Sequence, residues 1–325
     1  MPGVGMKLKS LIWVLSLSTT AIVPSAAYSG SENQGLSSTP LPTAHSYLAQ
    51  WGGSGPGKGQ LWGAFGIALN KNGFVYVADY VNDRIEVFDS FGAYVNQWGS
   101  KGTGSRQFHH ALGVGVDASG NVYVADTLND QIKKFDSSGA YITQWGDYGN
   151  EKGKLFNPTS VSIDSTGNVY VVDSANNRIQ EFTSAGAYLN MWGELGAGKG
   201  EFDSPESVAL DSLGNVYVSD FRNNRVEKFT SSGAFTTQWG KNGKDNGQFN
   251  GPEGIALNGN GNIYVVDSGN DRVQEFTVGG DYLSQWGTTG KGNGQFSMPA
   301  GIAVDGNGNV YVADWGADRI QKFGP

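Results

Sequence analysis

The dipeptide Trp-Gly recurs at Trp51, Trp98, Trp145, Trp192, Trp239 and Trp286, each 47 residues after the last. Two more series keep the same spacing: Asp79, Asp126, Asp173, Asp220, Asp267 and Asp314, and Gly73, Gly120, Gly167, Gly214, Gly261 and Gly308. No insertion or deletion interrupts any of them. A fixed period of this length marks an architecture in which each unit is one supersecondary module that buries its apolar surface only against its neighbours.

Within a unit the pattern is that of strands. In the third, residues 160–164, 168–173, 178–182 and 187–192 are runs rich in β-branched and aromatic side chains, separated by Ser-Thr-Gly, a short loop and Ser-Ala-Gly. No run holds a helical period, and the 50 glycines interrupt the chain too often for one. Aromatic residues at 12% are too many for a chain without a core. Four short antiparallel strands per unit is the signature of a propeller blade. The expected fold is therefore all-β, a six-bladed β-propeller of four-stranded antiparallel blades spanning residues 45–325.

Residues 299–314, PAGIAVDGNGNVYVAD, and 318–323, DRIQKF, resemble the NHL repeat. The resemblance runs from residue 47 to residue 323 and implies the same propeller. It leaves function open. Propellers of this kind include peptide-amidating lyases, with zinc held by histidines from several blades. They also include animal proteins in which the propeller follows ubiquitin-ligase domains and binds RNA. The last unit stops without its Trp-Gly strand, and an orphan copy of that strand stands at residues 47–52. It is expected to complete the sixth blade as its outermost strand, which removes unpaired edges from the ring.

Lys7 and Lys9, the apolar residues 11–23 and the small residues Ser25, Ala26 and Ala27 read as a signal peptide over residues 1–27. The alternative is an uncleaved tether. Residues 28–44, rich in Ser, Gly, Pro and Thr, read as a flexible leader. The expectation is a secreted or cell-surface protein, monomeric, with no membrane span in the mature chain. The absence of cysteine excludes disulfides and thiolate zinc sites. Net charge is −8, and the first 27 residues contribute two of the 22 basic residues and no acid. A phosphate backbone attracts basic surfaces, so no nucleic-acid partner is expected.

Several constellations read as structural. An aspartate in every blade, followed five residues on by arginine as in Asp79 and Arg84, suits loop hydrogen bonding and ion pairing. Gln131 replaces that arginine in the second unit and leaves Asp126 without the partner. Residues 305–309, DGNGN, resemble the start of a calcium loop, yet Val310 and Gly316 occupy the positions that need glycine and glutamate. Residues 52–59, GGSGPGKG, approach a phosphate loop, but Gly59 replaces the magnesium-binding hydroxyl and no helix follows. His109 and His110 are adjacent in one blade, which is awkward for joint ligation of one ion.

The informative positions are those where the repeat does not repeat. Before each first strand stand Phe65, Leu112, Thr159, Glu206, Glu253 and Ala300, expected near the central axis at one face. Loops after the second strand add Tyr80, Phe221, Arg222 and Trp315 on that face. Such a surface suits a small polar or cationic ligand, or a peptide. The leading expectation is a non-catalytic module that binds an extracellular protein, peptide or glycan, with no cofactor. The alternative is a lyase or lactonase in which Glu206 and Glu253 hold a divalent ion, calcium or zinc, or act as acid and base.

Overall fold

Each 47-residue unit folds into one sheet because its second and third strands carry apolar or paired groups on both faces. In the first blade the strand order is Ala64–Leu69, Val75–Asp79, Arg84–Phe88 and Tyr94–Trp98, all antiparallel. Val75–Asp79 and Arg84–Phe88 are buried at every position, whereas the outer strand is mixed. A strand pressed between two neighbouring sheets has no solvent face, so it cannot alternate apolar with polar. A computed structural model describes residues 45–325. Over that range six such four-stranded sheets form a propeller ring. The segments read as signal peptide and leader lie outside the described residues.

The cores sit between blades rather than within them. Tyr76, Ala78 and Trp98 of the first blade pack with Val122, Val124 and Phe135 of the second. Equivalent clusters join every neighbouring pair, including the sixth blade with the first through Tyr311, Ala313, Ile320, Val75 and Val77. The Trp-Gly tryptophans belong to these seams. The Trp98 indole lies so close to Gly139 of the next blade that a Cβ there would fall 2.6 Å from the ring. Gly139 also has φ +84°, so glycine is required twice over.

Closure is made by the beginning of the chain. Strand Ser46–Gly52 pairs antiparallel with Arg319–Gly324 as the outermost strand of the sixth blade. Trp51 then packs against Gly92 of the first blade, as four of its five counterparts pack against the equivalent glycine of the next blade. The Asp318 carboxylate accepts the Gly63 N–H at 2.7 Å, so a sixth-blade loop also fastens the first inner strand. Asp83, Asp130, Asn177, Asn224 and Asp271 make the same bond to the blade that follows each of them.

One seam departs from the pattern. His45 stands 47 residues before Gly92, where other blades have glycine. Its ring lies 4.3 Å from the Trp286 ring, and its Nδ1 bonds the Gly324 carbonyl at 2.8 Å.

Candidate functional site

The carboxylates repeated in every blade are fasteners. Asp79 is fully buried; its Oδ1 accepts the Trp62 N–H at 2.7 Å, and its Oδ2 accepts from Asn82 and Arg84, each at 2.8 Å. Arg84 also donates to the carbonyls of Pro56, Gly57 and Gln60, tying the preceding loop to the blade. Asp126 is not left without a cation, as the sequence had suggested. Lys133, two residues beyond Gln131 and so on the same strand face, reaches it at 2.8 Å. The DGNGN stretch is a turn: Asp305 accepts the N–H groups of Asn307 and Asn309, the Asn309 amide and the Tyr311 hydroxyl.

The inner strands of all six blades surround a central cavity of about 250 Å³. Phe65, Leu112, Thr159, Glu206, Glu253 and Ala300 all line it, as their place at the start of each inner strand implies. Thr159 spends its hydroxyl on the Glu206 carbonyl at 2.9 Å. The wall is divided. Ala300, Phe65 and Leu112 of the sixth, first and second blades give an apolar arc, and Glu206 and Glu253 of the fourth and fifth give an acidic one. In a ring of six, the first blade faces the fourth, so Phe65 stands opposite Glu206.

Both glutamates are half-buried in the cavity wall. Burial pushes the Glu206 carboxyl up to about 8, against a smaller opposing pull from Arg222. Glu253 is raised well above the usual carboxylate range by burial and by the charge of Glu206, with the Ser268 hydroxyl acting the other way. A neighbouring cation would draw both carboxyls back toward their charged forms.

The other four predicted residues form a collar outside the cavity wall. Tyr80 stacks on His110 of the next blade with ring centroids 4.3 Å apart and planes 16° apart. Phe221 lies over Gly251, and Trp315 over Gly63, so closely that a Cβ would fall 2.7 and 2.9 Å from the respective rings. Each covers the left-handed residue that leads into the following inner strand. Arg222 is exposed and sits 3.5 Å from Asp203.

The NHL repeat family matches residues 157–182, 202–229, 249–276 and 296–323, the last four of the six units. The chain is an NHL-repeat six-bladed propeller. Solved structures similar to this NHL propeller share its fold at low identity. A protein of unknown function from Bacteroides thetaiotaomicron is 20% identical with a TM-score of 0.67, over 85% of this chain and 76% of that one. Virginiamycin B lyase from Staphylococcus aureus is 17% identical with a TM-score of 0.59, over 85% and 98%. A gluconolactonase from Xanthomonas campestris is 13% identical with a TM-score of 0.61, over 82% and 88%.

Among the described residues of the NHL propeller, no three His, Cys, Asp or Glu side chains come together as ion ligands. Glu206 and Glu253 supply two carboxylates to the cavity wall, and among the described residues no third His, Cys, Asp or Glu joins them. Among the described residues no helix is long and apolar enough to cross a membrane. Sequence reasoning missed two groups. Lys133 was findable from the period-two rule along its strand. Trp62 and Met298, both exposed, precede the inner strands and vary from blade to blade, a signal present but not followed.

Proposed function

We propose that this NHL propeller is a non-catalytic binding module, exported from the cell, that engages an extracellular protein, peptide or glycan at the cavity mouth. The observation that carries the reading is the Glu206 and Glu253 pair. Each is pushed toward its neutral form by burial, and Glu253 further by its neighbour's charge. A cationic group arriving between them offsets both effects at once, so the site is built for a positive ligand atom. The apolar arc of Ala300, Phe65 and Leu112 supplies the contact area that such a group brings with it. Export rests on Lys7, Lys9 and the apolar residues 11–23.

The test is capture from culture medium, and peptide and glycan arrays, with the wild-type chain beside a Glu206→Gln, Glu253→Gln double variant. Ligands held by the wild type and lost by the double variant, more weakly bound at high salt, are the expected result. Capture unaffected by the double substitution would remove the reading.

A second reading, a lyase or lactonase, draws on one observation. A carboxyl that keeps its proton up to about 8 is a general acid at neutral pH. Turnover of a lactone or cyclic-ester substrate, abolished by Glu206→Gln in the metal-free protein, would favour it over binding alone.

A further inference from the structure

The face around the cavity mouth carries an apolar patch that nothing so far uses. Trp62 is 52% exposed, Met298 40% and Val81 37%, and Trp315 is partly exposed. These four come from the sixth and first blades. Gly63 brings two of them together, because a Cβ there would meet the Trp315 indole at 2.9 Å and the Val81 side chain at 3.3 Å. A Cβ on Gly316 would meet the Met298 methyl at 3.3 Å, which places Met298 beside Trp315. Trp62 is held firmly: its N–H bonds Asp79 at 2.7 Å, and its carbonyl accepts the Val81 N–H at 3.0 Å.

The fold does not need an indole at this position. In the fourth and fifth blades Asp203 and Asn250 stand in its place and make the same backbone bond to Asp220 and Asp267, at 2.8 and 2.7 Å. An apolar ring left half in water, on a backbone that polar residues serve equally well, is an anchor for a partner. The patch also continues inward, since its two blades supply Ala300 and Phe65 to the cavity wall.

We propose that Trp62, Val81, Met298 and Trp315 form the apolar subsite of a peptide-binding face. The ligand is a linear peptide segment that sets a lysine or arginine between Glu206 and Glu253 and lays a neighbouring apolar side chain on the patch. This rests on the binding reading above and narrows it to one ligand class. Charge selects the peptide over the glycan: Glu206 and Glu253, carboxyls on neighbouring blades of the cavity wall, call for a cation, and a neutral sugar brings none. The position of the patch outside the cavity requires a ligand that reaches both places.

The experiment is a titration of the full chain with fluorescein-labelled linear peptides, each with a central lysine or norleucine and flanks of phenylalanine, leucine or serine. Peptides combining lysine with an apolar flank are expected to bind most tightly. Trp62→Ser should weaken those about tenfold and leave serine-flanked peptides unchanged. Trp315→Leu, which keeps an apolar cover over Gly63, guards against a folding defect and should weaken the same peptides to a smaller degree. Thermal melts of each variant check that the propeller is intact. If Trp62→Ser binds every peptide like the wild type while Glu206→Gln with Glu253→Gln abolishes binding, the subsite is wrong and the mouth reading stands. If neither set of substitutions matters, the mouth reading itself falls. Neutral glycans that compete, with loss on Trp62→Ser, would overturn the peptide as occupant.

Discussion

Lys133 holds its ammonium 2.8 Å from the Asp126 carboxylate, and both side chains are closed off from solvent. It also donates to the carbonyls of Gly104 and Gln107. Those are the counterparts of Gly57 and Gln60, which Arg84 satisfies in the first blade. One lysine, shifted by two positions, thus replaces an arginine in charge and in hydrogen bonding. Removing one partner of a buried pair leaves an uncompensated charge, so Lys133→Met should destabilise the protein by about 3–5 kcal/mol. Gln131→Arg with Lys133→Gln rebuilds the arrangement that Arg178 and Gln180 make with Asp173 in the third blade. It should bring urea-melt stability back to within about 1 kcal/mol of wild type if the two arrangements are equivalent.

Closure gives a second prediction. Deleting residues 45–52 removes the outer strand of the sixth blade, the bond from Arg319 to Gln50 and the tryptophan that covers Gly92. It also exposes an unpaired strand edge at Arg319–Gly324. The melting temperature should fall further than in Trp51→Ala, which loses one partly buried ring worth about 2–4 kcal/mol. A truncated chain that melts with the wild type would show that the seam contributes little to stability.

The 47-residue period made the blades, their strand order and the closing strand legible, because each is the same physical solution repeated. The ring of inner-strand residues was legible for the same reason: a position that varies while its surroundings repeat points into the one space the blades share. What escaped were departures from the period. His45 is a side chain at a glycine position, and no hairpin like the one Gly92 turns in the first blade joins its strand to the partner strand Arg319–Gly324. Lys133 compensates across a strand face, a relationship visible only when two columns of the repeat are compared. The contact of Tyr80, Phe221 and Trp315 with the left-handed residues of the next blade depends on backbone angles that spacing does not give.

The seam should be sensitive to acid. Burial would raise the Glu275 carboxyl, but hydrogen bonds from His45, Ser284, Asn262 and Tyr264 outweigh it and hold the group down at about 2. A glutamate depressed in the folded state stabilises the protein above its unfolded value and loses that contribution as pH falls toward the folded one. Stability should therefore drop between about pH 4.5 and about pH 2. In Glu275→Gln the drop should be smaller, because the carboxylate that acid neutralises is already gone. Melting temperatures taken across this range check the point, and parallel curves for the two proteins would contradict it.

The cavity pair predicts the opposite slope at higher pH. In an unfolded chain Glu206 would lose its proton near 4.5, but in the folded protein it keeps it up to about 8. Between those values the folded state binds more protons, so stability falls as pH rises through that window. Glu253 is raised in the same direction and should steepen the fall. Glu206→Gln removes the titrating group while keeping its size, so the variant should melt a few degrees above wild type near pH 8 and converge with it near pH 5. A ligand cation should do for the wild type what the substitution does for the variant. A lysine-containing peptide that binds at the mouth should raise the wild-type melting temperature more at pH 8 than at pH 5, and this difference should vanish in Glu206→Gln with Glu253→Gln. Equal shifts at both pH values would mean that the carboxyls do not meet the ligand.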